Sequence, residues 1–99
     1  MANFDIVFGG GSVDNAVVGD TSTQVQAEDA PRKYLILRNL STTATVFLAI
    51  GATAELNKGI PVYPREFYEI TLDNLSSAAI NGICEAGKTA IVAIQIGYK

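Results

Sequence analysis

One stretch of this chain has the residue types and spacing of a phosphate-binding loop. Gly82-Ile83-Cys84-Glu85-Ala86-Gly87-Lys88-Thr89 fits the nucleotide-binding pattern G-x-x-x-x-G-K-[ST]. In a working loop of this kind, successive backbone N–H groups wrap the phosphates and a helix follows, adding its dipole. Here Ala90-Ile91-Val92-Ala93-Ile94 follows, a β-branched run that favours a strand. The residues after Thr89 are also too few for a second parallel strand bearing a magnesium-binding acid. The stretch therefore reads as a hairpin turn, with Gly87 in a left-handed conformation. The nucleotide reading predicts that Lys88→Ala abolishes nucleotide binding.

Other chemistry finds little to work with. The chain has no histidine, which removes Ser-His-Asp and Cys-His mechanisms and the commonest metal ligand. Its single cysteine, Cys84, reads as a small buried hydrophobe rather than a nucleophile. Glu66 and Glu69 are an odd number of residues apart in a strand-like segment, so they point to opposite faces and form no acid/base pair. Glu69 and Asp73 can share a face, where strand carboxylates are ordinarily just solvated. Asp14, Asp20, Glu28 and Asp29 lack the spacing of a calcium loop. No catalytic residue, cofactor site or metal site is expected.

The elements around these residues read as strands throughout. The chain is organised about Arg32 to Gly51, where two apolar runs, Tyr34–Leu37 and Val46–Ile50, flank a polar joint from Asn39 to Thr45. This predicts strand, turn, strand. Neither run alternates cleanly between apolar and polar, so both faces of the expected hairpin lose water, one to the core and one to another protein chain. Before it, Asn3–Phe8 reads as a short strand, and Gly9-Gly10-Gly11-Ser12 as a loop. Thr21, Thr23, Val25 and Ala27 recur at a spacing of two, the mark of a further strand. After it comes a loop from Gly51 to Ile60, with a turn at Asn57-Lys58-Gly59. Val62-Tyr63, bracketed by Pro61 and Pro64, reads as an edge strand. Glu66–Leu72 alternates, with Tyr68, Ile70 and Leu72 toward the core. Ala78–Cys84 is another strand, and Thr89–Ile96 the last and central one. Asn39-Leu40-Ser41 and Asn74-Leu75-Ser76 echo each other between strands, where Asn and Ser side chains can bond their own backbone and set a bend. No helix is expected. The fold class is all-β, a sandwich or small barrel of seven to eight antiparallel strands, with a jelly roll among the possibilities. Residues 1–31 form an N-terminal strand and a polar, glycine-rich arm, and residues 32–99 the sandwich core, one domain overall.

Composition narrows the partners. Hydrophobic residues make up 48% of the 99 and charged residues only 17%, against about 25% charged in an average chain. Much of the surface is therefore expected to be covered. No apolar run approaches the ~18 residues of a membrane span, so another protein is the expected cover and no membrane is. A net charge of −3 leaves no basic footprint for nucleic acid. The opening residues lack the basic region and apolar core of a signal peptide, so folding in a cytosol is expected. Tyr34, Phe47, Phe67 and Tyr63 are the candidate interface residues, because aromatics are enriched at interfaces.

The wording of the middle and end carries a family resemblance. Arg38-Asn39-Leu40-Ser41, Val46 through Ala54 and Gly59-Ile60-Pro61-Val62 resemble small virion proteins of tailed bacteriophages. In these a strand ending in NLS precedes an IGxTA segment and a GIP turn. Phe67-Tyr68-Glu69-Ile70, Ala78 through Ile83 and Gly87-Lys88-Thr89-Ala90 fit the same pattern. The likeness covers roughly Arg32 to Gly97 and consists of strand and turn signatures. It implies a capsid decoration, head-fibre or minor capsid component, located in the virion and made in the host cytoplasm. It further implies a homo-oligomer, a trimer first, bound to a major capsid or other virion protein. It supplies no catalytic residue. A glycan-binding module of a fibre or spike is the alternative, and would group exposed aromatics with loop residues such as Asn57 or Tyr63.

Overall fold

A computed structural model describes residues 12–71 and 74–98. The expected strand at Asn3–Phe8 and the core position at Leu72 lie outside the described residues. The strands are β1 (Ser12–Val18), β2 (Thr23–Gln26), β3 (Tyr34–Asn39), β4 (Val46–Ile50), β5 (Ile60–Val62), β6 (Phe67–Ile70), β7 (Ile80–Cys84) and β8 (Ala90–Gly97). They form two four-stranded sheets, ordered β1-β8-β3-β6 and β2-β7-β4-β5, with every pair antiparallel.

The pairings are nested. β4 pairs with β5, β3 with β6, β2 with β7 and β1 with β8. The chain is thus one long antiparallel ribbon with its tip at the β4–β5 connection. The ribbon curls until β8 also meets β3 and β7 meets β4, which divides it into two packed sheets. This is the strand order of a jelly roll, a β-sandwich in which successive strands alternate between sheets. Among the described strands, only β4 and β5 are consecutive and in the same sheet.

That alternation corrects two expectations. β3 and β4 do not pair as a hairpin, because they belong to opposite sheets. Nor is the turn at Glu85–Lys88 a hairpin; it carries the chain from β7 in one sheet to β8 in the other. Gly87 does take the expected left-handed conformation, with φ of 77°. Local pattern identifies strand, bend and strand. Whether the two strands pair or oppose depends on partners far away in sequence, here β6 and β8 for β3 and β5 and β7 for β4.

The core fills the space between the sheets with every second residue. Leu35 and Leu37 of β3, Val46 and Leu48 of β4, Ile70 of β6, Ile80 and Cys84 of β7, and Val92, Ile94 and Ile96 of β8 all point inward and are buried. Each fully buried Leu, Ile or Val of this set contributes about 1.5–3 kcal/mol. Val18 and Val25 bring β1 and β2 into the same cluster. Gly82 of β7 lets them in: a Cβ there would meet Val25 at 3.2 Å, Val46 at 3.3 Å and Val18 at 3.5 Å. β8 is central, between β1 and β3, as its composition predicts, and β5 with Pro61 is an edge strand. On β6, Ile70 is buried and Tyr68 packs against the core, while Phe67 and Glu69 face out.

Candidate interaction surface

The look-alike phosphate loop has its binding groups already spent. Gly82 lies inside β7 and serves packing. Cys84 N–H donates to Gly19 O at 2.8 Å and Lys88 N–H to Glu85 O at 3.0 Å. Gly87 N–H donates to the Asp20 carboxylate at 3.1 Å, so an acid occupies the place where a phosphate would sit. The Lys88 ammonium donates to Thr43 O at 3.0 Å. A strand beginning at Ala90 follows instead of a helix. Cys84 is buried, with its thiol against Val18 O at 3.5 Å, and burial pushes the thiol above its ordinary pKa. Glu69 accepts a hydrogen bond from Tyr34 Oη at 2.5 Å. Desolvation, then that bond, raises the phenol to about 12, so Tyr34 stays neutral and donating. Asp73 lies outside the described residues, and among them no cluster of three or more His, Cys, Asp and Glu could hold a metal ion.

One buried charge escaped the sequence reading. Arg32 is fully buried, and its Nη2 donates to Ser76 O at 2.7 Å and Ala78 O at 3.0 Å. Desolvation lowers its pKa, and Asp29, which accepts from Tyr98 Oη at 2.6 Å, opposes that shift. The side chain staples the β2–β3 connection to the segment before β7. Its Nε and Nη1 find no acceptor among the described residues.

The candidate aromatics divide between the two outer faces. Tyr34 and Phe67 lie on the outer face of the β1-β8-β3-β6 sheet, Tyr34 half-buried and Phe67 49% exposed. The Arg38 guanidinium stands over the Phe67 ring, 5.5 Å from its centroid. Phe47 faces out from the other sheet, half-buried, in register with Ile83 and Pro61. Tyr63 is exposed in the β5–β6 connection. Asn57 precedes β5 and Tyr63 follows it, so that strand separates them.

The two most exposed large apolar residues described, Val13 and Val17, were not among those aromatics, and neither was Ile91. Val13 is 76% exposed, Val17 64% and Ile91 49%. Register places all three on the same outer face as Phe67. Val13 is opposite Gln95, which is opposite Ile36; Asn15 is opposite Ala93, then Arg38, then Phe67; Val17 is opposite Ile91. A shallow open depression of about 320 Å³ runs between Val13, Ile36, Arg38 and Ala93. The signal was present in Ser12–Val18, where Val13 and Val17 fall on the face opposite the buried Val18. It was masked by the polar character of the surrounding segment. No protein-family model, curated protein or solved structure matches this chain.

Proposed function

We propose that this chain is a structural virion protein, a capsid decoration or minor capsid component that works through protein–protein contact. The observation that carries the reading is the outer face of the β1-β8-β3-β6 sheet, where Val13, Val17, Phe67 and Ile91 stand in water on a rigid, regular surface. Exposed large apolar residues gathered on one sheet face, interleaved with Asn15, Arg38 and Gln95, suit a contact surface between proteins. The jelly roll recurs in viral capsid proteins and in lectins, so the architecture is compatible with the role by analogy only. The strand and turn likeness to tailed-phage virion proteins supports the same reading. A decoration protein needs buried area and no reactive group.

The test is to purify the particles of the virus whose genome encodes this chain and quantify the chain in them by mass spectrometry. A fixed ratio to the major capsid protein is expected. So is rebinding of the purified chain to particles stripped of it, weakened by Ile91→Lys. Absence from the particles, or rebinding indifferent to Ile91→Lys, overturns the proposal.

A further inference from the structure

Each sheet has two edges, and three of the four edge strands are blunted. An open edge invites another strand, and short length, proline, bulges and capped backbone groups prevent this. β5 has three residues and contains Pro61. β2 has four, with a register shift between Gln24 and Gln26. β6 also has four; beside it Asn74 Nδ2 donates to Glu69 O at 3.1 Å, and Thr71 N–H donates to Asn74 Oδ1 at 2.7 Å. β1 differs. It has seven residues paired one for one with β8, from Ser12 opposite Ile96 to Val18 opposite Ala90, and contains neither proline nor a basic residue. Among the described residues its one guard is Asp14, whose carboxylate accepts the Asn15 N–H at 2.8 Å.

We infer that β1 is the self-association edge, pairing antiparallel with β1 of a second copy about a two-fold axis at Asn15. The sequence Val13-Asp14-Asn15-Ala16-Val17 is self-complementary in that register. Val13 meets the second copy's Val17, Asn15 meets its counterpart, and Asp14 meets Ala16 rather than another acid. A register centred on Asp14 would oppose two carboxylates, and one centred on Ala16 would set Asn15 against a valine, so charge and polarity select Asn15. Val13 and Val17 are also more exposed than any other large hydrophobic residue described.

The product is one continuous eight-stranded sheet, in which the apolar outer faces of both copies merge. Two-fold pairing makes a dimer, in place of the trimer that the family resemblance implies. A single strand edge is smaller than the ~1,200–2,000 Å² of a standard interface, so the dimer is reversible. Asp14 gates it, holding the Asn15 N–H in the separated molecule and releasing it to the second copy.

This inference deepens the proposed role by naming how the contact face is doubled. Its test uses the purified chain alone, so its outcome is separable from binding to particles. Sedimentation velocity over a concentration series is expected to show a monomer–dimer equilibrium. Val17→Lys should raise the dissociation constant about tenfold or more, and Asp14→Ala should lower it, with circular dichroism unchanged in both. Asn15→Cys should form an inter-chain disulfide on mild oxidation, while Gln24→Cys, on blunted β2, should not. A monomer at every concentration, a trimer, or a dimer insensitive to Val17→Lys would overturn the inference.

Discussion

The two sheets of this sandwich share a core and differ in what covers their backs. The β2-β7-β4-β5 sheet is strapped by its own chain. The β4–β5 connection leaves β4 and crosses β7, where Asn81 Nδ2 donates to Ala52 O at 2.6 Å. It then reaches the start of β2, where Ala54 N–H donates to Ser22 Oγ at 2.9 Å, and Ala54 is buried there. Phe47 and Ile83 on that face are half-buried. The β1-β8-β3-β6 sheet has no comparable strap among the described residues, and Val13, Val17, Phe67 and Ile91 remain in water. The long ribbon tip straps one face by covalent connection and leaves the other bare among the described residues. Of the eight exposed large hydrophobic residues described, four (Val13, Val17, Phe67 and Ile91) stand on the bare face, and Leu40, Leu56, Tyr63 and Leu75 lie in connections between strands.

The largest effect should come from loosening the strap at its return into β5. Gly59 has φ of 80°, and a Cβ there would lie 2.2 Å from Leu48 O. Gly59→Ala therefore combines left-handed strain of about 1–2 kcal/mol with a backbone clash. A loss of about 3 kcal/mol or more in denaturant unfolding is expected, the upper range for a point change. A loss below about 1 kcal/mol would mean that the strap is not fixed there. A matched pair of substitutions then sharpens the contrast. Ile83→Lys on the strapped face should cost about 1–2 kcal/mol by desolvating or displacing the ammonium beside Phe47. Ile91→Lys on the bare face should stay within about 0.5 kcal/mol of the parent chain. Equal costs would erase the distinction between the faces.

Much of the strand content was legible because it rests on local chemistry. Ala90–Gly97 is β-branched and apolar and became the central strand. Pro61 marked β5 as an edge. Asn39 and Ser41 do bond the backbone at their corner: Ser41 N–H donates to Asn39 Oδ1 at 3.0 Å, and Ser41 Oγ accepts from Thr43 and Ala44 N–H. What their spacing could not convey is that Asn39 is buried, with its Nδ2 shared between Ala44 O and Val62 O. Among the described residues Asn74, in the echoing corner, is exposed and bonded to Tyr68, Glu69 and Thr71, three to six residues earlier. The same tripeptide has two energetic weights, because burial is set by chain that arrives from elsewhere. Arg32 was illegible for the same reason. Nothing near it in sequence announces that the Ser76 and Ala78 carbonyls will close over it. The bare face was hidden because Val13 and Val17 are separated from Phe67 and Ile91 by half the chain or more, and the β1–β8, β3–β8 and β3–β6 registers bring them together.

The smallest expected effect lies at the crossings that join the sheets and should leave both faces untouched. Glu85, between β7 and β8, accepts the Thr45 N–H at 2.9 Å and so ties the β7–β8 crossing to the β3–β4 crossing. That backbone bond, ahead of the other causes, holds the Glu85 carboxyl below its ordinary value of 4.5. A carboxylate with a lowered folded pKa stabilises the fold above its unfolded value, and the contribution disappears as pH falls through the folded one. Stability should therefore decline below about pH 4.5, and Glu85→Gln should flatten that limb. At neutral pH the same substitution should cost less than about 1 kcal/mol, because the carboxylate is solvent-screened. Chemical denaturation at pH 3 to 7 measures both. An acid limb equally steep in the variant would move the titration to another carboxylate, and altered self-association in the variant would show that the crossings and the bare face are coupled.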